Sequence, residues 1–104
     1  MEKIEMQIQK TQENGIVVLK IAGQLISATS PAFETAVNDV LETENNLILD
    51  FSELDFLASS GIRVILSAQK KIKDRNGSLM IRNANDVVKD VFKMTGLNQF
   101  IDIR

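Results

Sequence analysis

Leu47-Ile48-Leu49-Asp50-Phe51-Ser52-Glu53-Leu54-Asp55-Phe56-Leu57-Ala58-Ser59-Ser60-Gly61-Ile62-Arg63-Val64-Ile65-Leu66 is the stretch on which the fold turns. Leu47–Phe51 is apolar at every position but Asp50 and too short for a helix, which predicts a central strand followed by a short turn. From Ser60 to about Asp74 the period changes: Ile62, Ile65, Leu66, Gln69 and Ile72 share one helical face with Ala68 beside it, and Lys70, Lys71 and Lys73 face solvent. Between them lies Ser59-Ser60-Gly61. A serine at a helix mouth caps the helix, and its hydroxyl also lies beside unpaired amides and the positive end of the macrodipole, which suits it to hold a phosphate. Arg63, a cation in the first turn, opposes that dipole by about 0.3–1 kcal/mol. It is rationalised by an anion docking nearby or by pairing with Glu53 or Asp55.

Upstream, Ile4, Met6 and Ile8 alternate with Glu5, Gln7 and Gln9, predicting a half-buried strand over Ile4–Lys10. Asn14-Gly15 reads as a hairpin turn into a second strand, Ile16–Ala22, whose Ile16-Val17-Val18-Leu19 run predicts burial on both faces. Gly23–Ser30 reads as a polar loop, with Ser30 as N-cap and Pro31 opening a helix to about Thr43 that buries Phe33, Ala36, Val37, Val40 and Leu41. Downstream, Asn76-Gly77 ends the lysine-bearing helix and Ser78–Arg82 forms another strand. Asn85 or Asp86 caps a helix whose Val87, Val88, Val91 and Phe92 pack inward, with Gly96 as its left-handed end. Leu97, Phe100, Ile101 and Ile103 make a short strand or docking tail; Met80 is core filler and Met94, beside the cap, a candidate for exposure. The order β-β-α-β-α-β-α predicts a single α/β domain over residues 1–104, a mixed, mostly parallel sheet with helices packed on it.

Composition narrows the chemistry. Twelve basic against fourteen acidic residues leave a net charge of −2, so no global field draws the chain to nucleic acid or an anionic membrane. The basic run Lys70, Lys71, Lys73 and Arg75 has no interleaved aromatics on which bases could stack. The chain has no cysteine and no histidine, which removes disulfides, thiolate and imidazole metal sites, and the Ser–His and Cys–His nucleophile pairs. The five glycines, at 15, 23, 61, 77 and 96, do not have the spacing of a phosphate-cradling loop. Met1–Met6 has no long apolar core, and no run approaches the roughly 18 apolar residues of a membrane span. These features predict a cytoplasmic, monomeric binding protein with no catalytic residue, cofactor or metal. Asp50, Glu53 and Asp55 read as loop acids; a small-ligand sensor or enzyme built on them is the remaining chemical alternative.

Leu49–Leu57 followed by Ala58-Ser59-Ser60-Gly61-Ile62-Arg63-Val64-Ile65-Leu66 resembles the signature of the STAS domain, the sulfate-transporter and anti-sigma-factor-antagonist family. Gly23-Gln24-Leu25 resembles that family's Gly-x-Leu turn, and Val91-Phe92-Lys93-Met94-Thr95-Gly96-Leu97 its C-terminal helix. For a stand-alone chain of this length the resemblance implies an anti-sigma factor antagonist that binds a GHKL-type serine-kinase anti-sigma factor and frees a sigma factor. It further implies phosphorylation at Ser59, reversal by a PP2C-type phosphatase, and a partner-facing patch of Gln24, Ile26, Ala58, Ser59, Ser60, Gly61 and Arg63. Ala58 and Ile26 stand where the family often has aspartates, leaving a more apolar patch. The alternative the resemblance allows is a phosphorylation-independent subunit of a larger signalling or transporter complex.

Overall fold

The computed structural model describes residues 6–104, so the predicted strand position Ile4 lies outside the described residues. Five strands form one sheet in sequence order: β1 (Met6–Glu13), β2 (Ile16–Leu25), β3 (Asn46–Leu57), β4 (Ser78–Arg82) and β5 (Asp102–Ile103). β1 and β2 pair antiparallel through the Asn14-Gly15 turn, where both residues take positive φ (53° and 81°), as a tight hairpin turn requires. The remaining neighbours are parallel and joined by α1 (Ser30–Leu41), α2 (Ser59–Asp74) and α3 (Asp86–Thr95), the last followed by a 3₁₀ turn at Leu97–Gln99. The mixed, mostly parallel α/β architecture expected from the element order is the one observed.

Strand register sorts the side chains. Val17, Leu47 and Leu79 align across the sheet, as do Leu19, Leu49, Ile81 and Ile103, and these rows join Phe33, Val37, Val40, Ile65, Ala68 and Ile72 in one apolar core. The intervening row, Val18 and Ile48, is buried as well, so the predicted two-faced burial of β2 holds at Val17–Leu19. The same alternation puts Asp50 and Arg82 beside that second face. There the Arg82 guanidinium bonds both carboxylate oxygens of Glu13 (2.8 and 2.6 Å) and reaches Asp50 at 3.1 Å, linking β4 to β3 and β1.

Several boundaries differ from the sequence expectation. β2 runs through Gly23-Gln24-Leu25 and β3 through Leu57, because the two continue to pair as Ala22↔Glu53, Gly23↔Leu54, Gln24↔Phe56 and Leu25↔Leu57 after the β3–β4 ladder ends at Asp50↔Arg82. Polar residues that look like a loop thus continue the β2–β3 ladder, with β1 still paired to β2 as far as Gly23, and the register shift beside Gly23 is accommodated by that residue's φ of 100°. Helix α1 begins at Ser30 itself, with Thr29 as the flanking residue and no side-chain cap. In α2 the buried stripe is Gly61, Val64, Ile65, Ala68 and Ile72; Leu66, one helical step off it, is 45% exposed, and Val64 takes its place in the core. The same geometry leaves Val87 exposed beside buried Val88 and Phe92 on α3. Phe100 also lies outside the core, 68% exposed. The Asn85 cap and the left-handed Gly96 stand as expected, Asn85 accepting from the Val88 N–H at 2.9 Å, and Met94 is exposed.

Candidate functional site

The parallel strands β2 and β3 end side by side, and the chain leaves each for a helix. Ala58 N–H donates to the Leu25 carbonyl at 2.8 Å, tying the two ends together. Ala58 is the N-cap of α2, so the helix begins at Ser59, one residue earlier than the serine spacing suggests, and neither serine is the cap. An alanine supplies no oxygen to the first-turn amides, and the Ala58 carbonyl accepts from Gly61 and Ile62 instead. Gly61 permits the close approach of this turn to the strand ends: a Cβ there would lie 2.8 Å from Leu57 Cδ1 and 3.1 Å from Leu25 Cβ.

The two serines are presented differently. Ser59 is exposed, with no side-chain hydrogen bond among the described residues. Ser60 is half-buried, and its hydroxyl lies 3.0 Å from that of buried Ser30, which donates to the Ile26 carbonyl at 2.7 Å. Ser30 has one hydroxyl proton, so Ser60 supplies the hydrogen between them. The β2–α1 connection is held by Thr29, whose hydroxyl accepts from Ile26 N–H at 2.9 Å and donates to the Gln24 carbonyl at 2.7 Å. Exposed Gln24 and half-buried Ile26 are thereby fixed next to the α2 mouth.

The structure therefore brings Gln24, Ile26, Ala58, Ser59, Ser60 and Gly61 to one end of the sheet, with Arg63 one turn along α2. Arg63 is exposed and forms no ion pair with Glu53 or Asp55, correcting that expectation among the described residues. Sequence reasoning missed Phe56, which pairs with Gln24 at this end of the sheet and is 48% exposed. Its signal was an aromatic between Asp55 and Leu57 in a segment read as a turn. The sequence also misassigned Ser30, which is the first residue of α1 and not its cap; its hydroxyl and that of Thr29 bond within the neighbouring loop.

The acids before the serines do not converge. Asp50 is buried and accepts from Ser52 N–H at 2.9 Å as well as from Arg82. Burial alone would raise its carboxyl, but the Ser52, Arg82 and Asn83 donors outweigh burial and hold it below the ordinary value. Glu53 pairs with Lys20 at 2.9 Å, which raises the lysine's affinity for its proton. Asp50, Glu53 and Asp55 all belong to β3, correcting their reading as loop acids, and among the described residues no cluster of three potential ligands gathers for a metal.

Fold and site together define a small mixed-sheet module that holds a helix-mouth serine out on its surface. The chain belongs to the STAS-domain family, whose model matches residues 7–104. It is 24% identical over 102 residues to the anti-sigma F factor antagonist of Paenibacillus polymyxa, covering 96% of this chain and 87% of that protein. The crystal structure of an anti-sigma factor antagonist from Mycobacterium paratuberculosis superposes with a TM-score of 0.88 at 20% identity, over 98% of this chain and 87% of that one. The unphosphorylated form of the anti-sigma factor antagonist SpoIIAA gives 0.79 at 20% identity over 96% and 88%, and the phosphorylated form of Bacillus SpoIIAA gives 0.74 at 19% identity over 96% and 91%. At these identities the structures establish the shared fold.

Proposed function

We propose that this protein is an anti-sigma factor antagonist: it binds a GHKL-type serine-kinase anti-sigma factor in the cytoplasm as a monomer, frees a sigma factor, and is switched off when Ser59 is phosphorylated. A PP2C-type phosphatase restores the active form. The protein is the substrate of this cycle and not an enzyme, and it touches neither nucleic acid nor membrane. The observation that carries the reading is the contrast between neighbouring hydroxyls, Ser59 open at the first turn of α2 and Ser60 engaged with Ser30. The names of the matched relatives, and a solved phosphorylated form among the structural neighbours, support the same class of role.

Phosphate would place a charge of about −1.5 to −2 on a patch whose neighbours, Ile26 and Ala58, are apolar. Disrupting a desolvated interface this way costs about 2–5 kcal/mol, or roughly 30-fold to several thousandfold in affinity. Incubation with the cognate kinase and ATP, followed by mass spectrometry, is expected to modify the wild type and spare Ser59→Ala. Ser59→Asp is expected to bind the kinase at least tenfold more weakly by calorimetry. Modification at Ser60, or full affinity in Ser59→Asp, defeats the proposal.

One observation favours a second reading, a phosphorylation-independent interaction subunit of a signalling or transporter complex: Ala58 and Ile26 supply no carboxylates at the helix mouth. Co-purification separates the two, a kinase supporting the first and a sensor or transporter complex the second.

A further inference from the structure

The far end of α2 carries a second surface feature. Leu66, Gln69, Lys70 and Lys73 on α2 face Phe100, Ile101 and Asp102 across an open groove of about 920 Å³, floored by Leu79 and the Gly77-Ser78 turn. Its apolar walls are Leu66 and Phe100, 45% and 68% exposed although both are large hydrophobic side chains. The groove is fixed in shape, because Gln69 Nε2 donates to the Phe100 carbonyl at 2.9 Å and pins the 3₁₀ corner to the helix.

Its rim is electropositive. Lys70 and Lys73 make no ion pair among the described residues, whereas neighbouring Lys71 turns away to donate to Asn38 at 3.0 Å. The one acid lining the groove, Asp102, already pairs with Arg104 at 3.0 Å. Asp74, one turn beyond Lys70, does not line the groove and pairs with neither lysine. Cations suit a helix C-terminus through its dipole, but the dipole does not account for two of them flanking an uncovered Phe and Leu.

We infer that this groove docks a short acidic amphipathic helix of a partner protein, its apolar side chains between Leu66 and Phe100 and its carboxylates on Lys70 and Lys73. The lysines, three residues apart on α2, match carboxylates at the i, i+3 or i, i+4 spacing of a helix lying alongside. The serines open the 16-residue helix α2, and the groove spans its second half, from Leu66 to Lys73. At about 1.5 Å per residue Leu66 lies about 10 Å and Lys73 about 20 Å along the helix from Ser59, so the lysine-bearing part of the groove stands clear of the serine.

The test is a ¹⁵N-detected titration of the full chain with a synthetic helical peptide bearing Leu and Phe at i and i+4 and glutamates at the flanking turns. A control peptide carries lysine at every glutamate. The glutamate peptide is expected to shift the amides of Leu66, Gln69, Lys70, Lys73 and Phe100 and to leave Ser59 and Arg63 unmoved. Phe100→Ser should weaken binding at least tenfold, and the double variant Lys70→Glu/Lys73→Glu should transfer binding to the lysine peptide. All three changes are on the surface, and an unchanged amide spectrum elsewhere reports an intact fold. Absence of shifts at millimolar glutamate peptide overturns the inference, and so does equal binding of the lysine peptide. Shifts that appear at the groove on raising the protein concentration alone assign it to a second copy of this chain and overturn it too.

Discussion

Ser59 and Ser60 differ by one step of helix, a rotation of about 100°, and that step moves a hydroxyl from open solvent to the seam between the first turns of α1 and α2. The Ser60–Ser30–Ile26 chain of hydrogen bonds crosses that seam. Removing either hydroxyl breaks the same link, so Ser30→Ala and Ser60→Ala should each cost about 0.5–1.5 kcal/mol in urea unfolding. The double variant should cost less than the two single effects added together. Ser60→Ala should still be modified at Ser59. Full additivity would show that the two hydroxyls act separately.

At the scale of elements, the turn into β4 is set by Gly77, where a Cβ would lie 1.7 Å from the Asn45 carbonyl oxygen. Backbone cannot yield as a flexible side chain can, so Gly77→Ala should destabilise by about 3 kcal/mol or more, read from the denaturation midpoint. The glycine was legible in the sequence as a stop signal; its crowding was not, because Asn45 meets it only across the β3–β4 register. The strand–helix order and both Asn-Gly turns followed from local pattern. The lengths of β2 and β3 did not: Ser52, Glu53 and Asp55 look like a turn until Ala22–Leu25 is available to pair with them. The candidate site's place at the mouth of α2 was legible in Ser59-Ser60-Gly61, while the exposure of Phe56 and the Thr29 and Ser30 bonds depended on that unforeseen pairing. Interstrand ion pairs were equally hidden. Arg82 hydrogen bonds hold Glu13 below its ordinary 4.5, and Asp50 sits below its ordinary 3.8 despite burial. Depressed carboxyls stabilise the fold fully above their unfolded values, and that contribution is lost as pH falls through the folded ones. Arg82→Gln should therefore be less stable than wild type at pH 7, read as a lower denaturation midpoint. Its deficit should shrink as the pH is lowered from about 5 towards 2. A deficit independent of pH would assign the loss to packing.

Across the whole molecule, the strands follow their order in the chain, so β1–β2 closes over a tight turn and each later pair over a single strand–helix–strand crossover. The Arg82–Glu13 bond does not: its partners are 69 residues apart. Contacts closed over short separations need little chain ordering, while this one must wait until three strands and two helices have been laid down between its ends. It should thus form on the native side of the folding barrier. Glu13→Gln is expected to leave the refolding rate unchanged in stopped-flow mixing and to steepen only the escape from the native state. Slower refolding with unaltered unfolding would place this contact in the nucleus. The guanidinium of Arg82 then acts as a latch on the finished protein, setting how long each folded molecule survives and leaving the speed of its assembly to the sheet.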